Sequence, residues 1–295
     1  MAKLALIDIG GVTIRFALWD DRDQSLTNQG MVATPKSLNT YYEVLAKIIR
    51  TYQRSNQIVG VGISTPGAVN KATGIIEGAS ALPYIHNFEI QGVLAKKFGL
   101  PVVMENEINC AALAELERGA AQGLRNVLYL AIGADVGGAV ITDGRIQHGA
   151  HLLSGEFGSM LMADGRPLSE VGTIAHLTRQ YNQQAHAQLT GVEIFALARQ
   201  GDSLARQMTT ALYRYLAQAV YNLQYSFDPD AIILGGALAQ IDFIVPNIEI
   251  ERQRLLTQGQ LKPFATPLLI SQYQAEANLL GALADFKQYY PQKML

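Results

Sequence analysis

Two stretches decide the fold: residues 4–20, LALIDIGGVTIRFALWD, and residues 126–144, NVLYLAIGADVGGAVITDG. In the first, an apolar run over 4–7 reaches Asp8 and a Gly10-Gly11 pair, and strand character resumes over 14–19. That pattern reads as a hairpin with a glycine-bearing turn. The second repeats it, with a strand over 127–132, a glycine-rich turn through Gly133, Gly137 and Gly138, and a strand over 139–142. A strand, turn and strand recurring near the start of each half predicts a duplicated α/β fold.

Outward from these hairpins, Leu38, Tyr41, Leu45, Ile48 and Tyr52 fall at helical spacing, and an apolar strand over 58–63 follows, ending in Thr65-Pro66-Gly67. After Pro101, a strand over 102–104 runs into Glu105-Asn106-Glu107, and the stretch beyond is rich in helix formers. The polar trio is therefore expected at a strand-to-helix junction. In the second half Met208, Leu212, Leu216, Ala219 and Leu223 mark a long amphipathic helix, followed by a strand over 231–234 and Gly235-Gly236.

Glycine turns let backbone amides approach an anion with no Cβ in the way, so the three glycine turns are candidate phosphate cradles. Other nucleotide cradles are excluded. No GxxxxGK[ST] occurs, and Gly60-Val61-Gly62 is followed by Thr65 where a dinucleotide fingerprint needs glycine. The stretch GISTPG fails as a nucleophile elbow because Pro66 stands where glycine is required, and there is no HExxH.

The chain has 295 residues, a length that suits two domains. Its 23 basic and 25 acidic residues leave a net charge of -2, with no basic surplus of the kind that neutralises nucleic-acid phosphates. Only 16% of residues are charged against 49% hydrophobic, which implies extensive burial, some of it between subunits. With Cys110 as the one cysteine, a disulfide framework and any multi-cysteine zinc site are excluded, and a reducing compartment is expected. The first apolar run meets Asp8 too early for a signal peptide. The expectation is a cytoplasmic protein with no membrane and no nucleic-acid partner.

Seven segments in order resemble motifs of the ROK family of repressors, open reading frames and sugar kinases. They are 8–15 (DIGGVTIR), 62–70 (GISTPGAVN), 105–115 (ENEINCAALAE), 132–139, 155–158 (GEFG), 232–236 and 276–282 (EANLLGA). The resemblance implies a duplicated actin-like ATPase (ribonuclease H-like) α/β fold in two domains with a cleft between them. The smaller N-terminal domain would be 1–117 plus 283–295 and the larger C-terminal domain 118–282. It implies ATP-dependent phosphorylation of a sugar hydroxyl with Mg²⁺. Carried over residue by residue, Asp8 would place Mg²⁺ through water. Gly10, Gly11 and Thr13 would hold the transferred phosphate, Gly137 and Gly138 would line a second phosphate loop, and Gly235 and Gly236 would lie near the nucleotide. Asn106, Glu156, Glu170 and Gly67 would bind the sugar, with Glu107 as catalytic base. Family members are commonly homodimers.

Several positions depart from the family pattern. Kinases of the family usually carry Asn-Asp where this chain has Asn106-Glu107, so the base has one methylene more. Val12 and Ala134 replace threonines, and Asp135 replaces a glycine in a loop meant for anions. Ser159 replaces a histidine and the cysteines of a zinc loop are gone, so no zinc site is expected. Together with SALPYIHNF over 80–88, this looks like the subgroup that includes β-glucoside kinases. A hexose or β-glucoside is the implied substrate. The alternative is a catalytically weakened sugar-binding or regulatory protein on the same fold.

Overall fold

In the computed structural model, which describes residues 2–258 and 264–294, each half of the chain builds a sheet of the same order. The first half runs β1 (Lys3–Ile9), β2 (Thr13–Asp20), β3 (Ser25–Ala33), α1 (Leu38–Ser55), β4 (Ile58–Thr65), β5 (Ala68–Asn70), β6 (Ile75–Glu77), α2 (Ile90–Phe98), β7 (Val102–Asn106) and α3 (Glu107–Arg118). The second runs β8 (Val127–Ile132), β9 (Val136–Thr142), β10 (Arg145–Ile146), α4 (Leu168–Val171), α5 (Ile174–Ala185), α6 (Gly191–Gln200) and α7 (Ser203–Phe227). It continues through β11 (Ala231–Gly235), α8 (Gly236–Ala239), α9 (Ile244–Gln258) and β12 (Leu268–Ile270), and α10 (Ala277–Tyr289) follows.

The sheet orders are β3-β2-β1-β4-β7 and β10-β9-β8-β11-β12. In each, three strands form an antiparallel meander and two more add in parallel. The duplicated α/β architecture read from the two hairpins is present. The alternation along β1 explains its near-complete burial, because helices cover both faces of a parallel sheet. Leu4 and Leu6 pack in one cluster with Leu279, Leu283 and Phe286 of α10. Ala5, Ile7 and Ile9 pack in another with Tyr41, Leu45 and Ile49 of α1. In the second half Leu128, Leu130 and Ile132 of β8 share a core with Leu212, Leu216 and Val220 of α7.

The chain divides into two compact units, Met1–Gly119 with Tyr273–Leu295, and Ala120–Gln272. This corrects the expected boundaries: residues 273–282 go with the first unit rather than the second. The reason is packing, since Ala277, Leu279, Leu280 and Ala282 are buried in the same cluster as Leu4 and Leu6 of β1. Residues 118 and 119 likewise end the first unit.

The second glycine loop is also shorter than expected. β9 begins at Val136, so Gly137 and Gly138 are strand residues paired with Ala131 and Leu130. The turn itself is 133–135, closed by Gly133 N–H donating to the Asp135 carbonyl at 2.9 Å. Gly138 is glycine because a Cβ there would overlap the Phe157 ring and lie 2.6 Å from the Tyr129 carbonyl oxygen. The Gly235-Gly236 pair is no free turn either: Gly235 ends β11 and Gly236 opens α8. Gly236 takes φ +79°, a region that favours glycine, and a Cβ there would sit 2.5 Å from the Ile132 carbonyl oxygen. Among the described residues no helix is long and apolar enough to cross a membrane.

Candidate functional site

Strand register alone lines up four polar residues. Antiparallel pairing puts Arg15 of β2 opposite Asp8 of β1, and parallel pairing continues the row through Ser64 of β4 to Glu105 of β7. Paired residues share a face of the sheet. The row stands near the carboxyl ends of the parallel strands, where open α/β sheets place their ligands.

Asp8 is only 4% exposed and its carboxylate is fully engaged. Oδ2 accepts from Arg15 Nε at 3.0 Å and Nη2 at 2.6 Å. Oδ1 accepts from Ser64 Oγ and from Asn278 Nδ2 of α10, both at 3.0 Å. Arg15 also donates Nη1 to the Ala275 carbonyl at 2.7 Å, so the guanidinium is held at both edges. Burial of an aspartate is tolerable here because a cation and two further donors replace its water.

The polar trio does sit at a strand-to-helix junction. Glu105 and Asn106 end β7, and Glu107 opens α3. Asn106 is the helix cap, its Oδ1 accepting from Ile108 N–H at 2.8 Å and Asn109 N–H at 3.3 Å. Its Nδ2 donates to the Gly67 carbonyl at 3.1 Å and to Glu107 Oε2 at 2.6 Å. Glu107 is thus oriented by a neighbour and placed in a helical first turn, where the dipole favours a carboxylate. Gly67 takes φ +96°, and a Cβ on it would lie 2.6 Å from Ile76 Cγ2 and 2.7 Å from His86 Cε1, so a side chain there would push the loop off Asn106.

Asp8, Gly10, Gly11, Thr13, Arg15 and Glu107 share one cavity of about 580 Å³, with Asn278 also in its wall. The hairpin turn is tied down by its own backbone and by Thr34. Gly10 N–H donates to the Thr13 carbonyl at 3.0 Å, and Thr34 Oγ1 donates to the Gly10 carbonyl at 2.7 Å. Val12, at 83% exposed, stands at the rim.

The remaining expected residues lie in the second unit. Glu156 is exposed at the start of a short 3₁₀ turn, Phe157–Ser159. Glu170 lies in the first turn of α4, with Arg166 Nη1 3.9 Å from Oε1. Arg166 in turn grips Asp164 Oδ2 through Nε at 3.0 Å and Nη2 at 2.6 Å, and Tyr215 OH donates to the same oxygen at 2.6 Å. The Tyr215 hydroxyl and the guanidinium together hold the Asp164 carboxyl down at about 2. Gly137 and Gly235 flank Ala131 in one register row, while Ala134 and Asp135 are exposed at the turn. Among the described residues no group of three or more His, Cys, Asp or Glu is placed to hold a metal ion.

Arg15, Ser64 and Asn278 belong to the site although the sequence reading gave none of them a role; each lies inside a segment that resembles a family motif. For Arg15 the signal was present: in a two-stranded hairpin around residues 10–13, Asp8 and Arg15 are opposite partners. Asn278 is brought to Asp8 across 270 positions of chain, a closeness no local pattern reveals.

The ROK family model matches residues 4–289. A beta-glucoside kinase of Listeria innocua is 30% identical over 300 residues, covering 97% of this chain and 98% of that protein. Among solved structures, a ROK family protein from Streptococcus pneumoniae in complex with sucrose matches with a TM-score of 0.86 at 32% identity, covering 98% of this chain and 99% of that one. A ROK hexokinase from Thermus thermophilus matches with a TM-score of 0.84 at 28% identity, with coverage of 98% and 99%.

Proposed function

The chain belongs to the ROK family, and from that premise we propose that it is an ATP-dependent carbohydrate kinase, transferring the γ-phosphate to a hydroxyl of a hexose or β-glucoside. One observation carries this reading: a carboxylate oriented by a hydrogen-bonded neighbour, Glu107 on Asn106, opens into the same cavity as the Gly10-Gly11 turn and the Arg15 guanidinium. Phosphoryl transfer asks for positioning, charge neutralisation and a proton acceptor for the attacking hydroxyl, and this cavity holds residues suited to each task.

In this reading Glu107 accepts the proton of the sugar hydroxyl as that oxygen attacks phosphorus. Asn106 orients Glu107 through Nδ2, and a sugar hydroxyl reaching the pair takes over one of the Nδ2 bonds. Gly67 supports Asn106 through its carbonyl. Arg15, Gly10, Gly11 and Thr13 face the transferred phosphate. Glu156 and Glu170 of the second unit bind sugar hydroxyls, since a carboxylate accepts from two adjacent hydroxyls. Gly137, Gly138, Gly235 and Gly236 line the nucleotide side. Their support is the register row of small residues that Gly137 and Gly235 form with Ala131.

Four hydrogen bonds from three residues already fill the lone pairs of Asp8, which leaves little for a direct bond to a cation. Mg²⁺ would be held through water if a water O–H took the place of one of these donors, such as the Asn278 amide, on Asp8. The cavity sets two carboxylates, Asp8 and Glu107, against the one guanidinium of Arg15, so a polyphosphate enters favourably only with a cation of its own. When bound, Mg²⁺ neutralises charge on the phosphates. The Listeria innocua relative supports a β-glucoside as substrate class. A cytoplasmic homodimer is the proposed state, supported by the low charged fraction and by a single buried cysteine.

A second reading, a sugar-binding or regulatory protein with weakened catalysis, draws on Val12, Ala134 and Asp135, all exposed at the two turns. The deciding experiment supplies Mg²⁺-ATP with a panel of hexoses, amino sugars and β-linked disaccharides, reading ADP release and the sugar phosphate by phosphorus NMR. The kinase reading expects sugar-dependent ADP release matched by one sugar phosphate. Sugar binding by calorimetry without ADP release from any sugar overturns it in favour of the second reading.

A further inference from the structure

The buried ammonium of Lys71 takes no part in the chemistry above, and its surroundings assign it a task. It lies in the turn after β5 and donates Nζ to both oxygens of Asp285 on α10, at 2.8 and 2.7 Å, and to the Met104 carbonyl at 2.7 Å. It also stands 4.5 Å over the Tyr289 ring and 3.4 Å from Glu105 Oε2. Burying a lysine is costly unless its charge is paired. Asp285 alone balances that charge, so a second buried carboxylate, Glu105 at 1% exposure, calls for its own explanation.

Glu105 looks both ways. While Oε2 faces Lys71, Oε1 accepts from the Asn106 backbone N–H at 2.8 Å and from Asn109 Nδ2 at 2.9 Å. Asn106 then binds Glu107 Oε2 at 2.6 Å. A run of polar contacts therefore leads from α10 through Lys71, Glu105 and Asn106 to the carboxylate read here as the base. We propose that Lys71 is a positioning residue for Glu107: by holding Oε2 of Glu105 it fixes the rotamer whose Oε1 anchors the β7–α3 junction. With the cation removed, Glu105 stays buried but loses the ammonium that faces Oε2. It would escape by turning or taking up a proton, and either change loosens the Asn106 amide it now holds. The proposal rests on the kinase reading for the role of Glu107, though not for the order of the junction.

The test compares the wild type with Lys71→Met and with the double variant Lys71→Met/Asp285→Asn, which keeps the summed charge of the three groups unchanged. Tm, kcat, KM for sugar and for Mg²⁺-ATP, and amide exchange of Asn106 by NMR are measured on each. Lys71→Met is expected to lose kcat by about tenfold to a hundredfold, the scale of a misplacement of about 1 Å. KM for Mg²⁺-ATP should stay within about threefold, because no phosphate contact is touched, while KM for sugar rises only as far as the loosened Asn106 weakens its one sugar contact. The double variant recovers Tm but not kcat, and Asn106 exchanges about tenfold faster in both variants. Should the single variant fail to fold, the double variant carries the comparison. Recovery of kcat in step with Tm overturns the proposal, as does an unchanged kcat. If the wild type itself releases no ADP with any sugar, the kinase reading fails separately, and unchanged Asn106 exchange then overturns the positioning role on its own.

Discussion

The same place in the two sheets is furnished in opposite ways. In the first unit the row across β2, β1 and β4 reads Arg15, Asp8, Ser64, and in the second the row across β9, β8 and β11 reads Gly137, Ala131, Gly235. Strand order and pairing sense are the same, so the contrast lies in side chains and in the turns beside them. The first turn leaves four residues, 10–13, between the paired Ile9 and Ile14, and the second leaves three, 133–135, between Ile132 and Val136. One copy of the duplicated backbone has become a rack of charged and hydrogen-bonding groups suited to proton and phosphate chemistry. The other has been stripped of side chains, apart from Tyr129, whose hydroxyl occupies the space a Cβ on Gly235 would need. A duplicated fold thus supplies two equivalent ledges, and specialisation consists in what each one omits.

The largest effect that tests this contrast comes from the charged row. Arg15→Met removes the cation paired with buried Asp8, and turnover is expected to fall about a hundredfold, with stability lower by about 1–3 kcal/mol in urea titration. A turnover within about twofold of wild type would detach the charged row from the chemistry. In the second unit, Gly138→Ala is expected to cost about 1–3 kcal/mol in thermal unfolding, because the new methyl overlaps the Phe157 ring and meets the Tyr129 carbonyl. An unchanged Tm would show that this strand tolerates side chains and that its bareness has another cause. The smallest effect sharpens the comparison: Asp135→Gly removes an exposed carboxylate from the second turn. KM for Mg²⁺-ATP should fall about two- to fivefold at low salt, with the gain shrinking as salt is added. A KM that does not move would place Asp135 away from the nucleotide.

The duplication was legible because both hairpins write out apolar strand, glycine turn and strand within a short window, and the junction at Glu105-Asn106-Glu107 was legible because strand and helix residues meet there. What stayed hidden depends on distant packing. Gly137 and Gly138 look like a turn in one dimension, yet the ring of Phe157 and the backbone of Tyr129 make at least Gly138 a strand glycine. The boundary at 273 follows from α10 packing on β1, more than 250 positions earlier, and Lys71 meets Asp285 across 214 positions. Charge pairs of that separation leave no periodicity to read.

The account turns on Glu107 as the proton acceptor of the charged unit. The most direct measurement is sugar-dependent ADP release by Glu107→Gln beside the wild type, with sugar affinity followed by calorimetry. The account predicts turnover lower by about a hundredfold to ten-thousandfold while sugar affinity changes less than about threefold. Turnover retained in Glu107→Gln would contradict it and move the base to another residue.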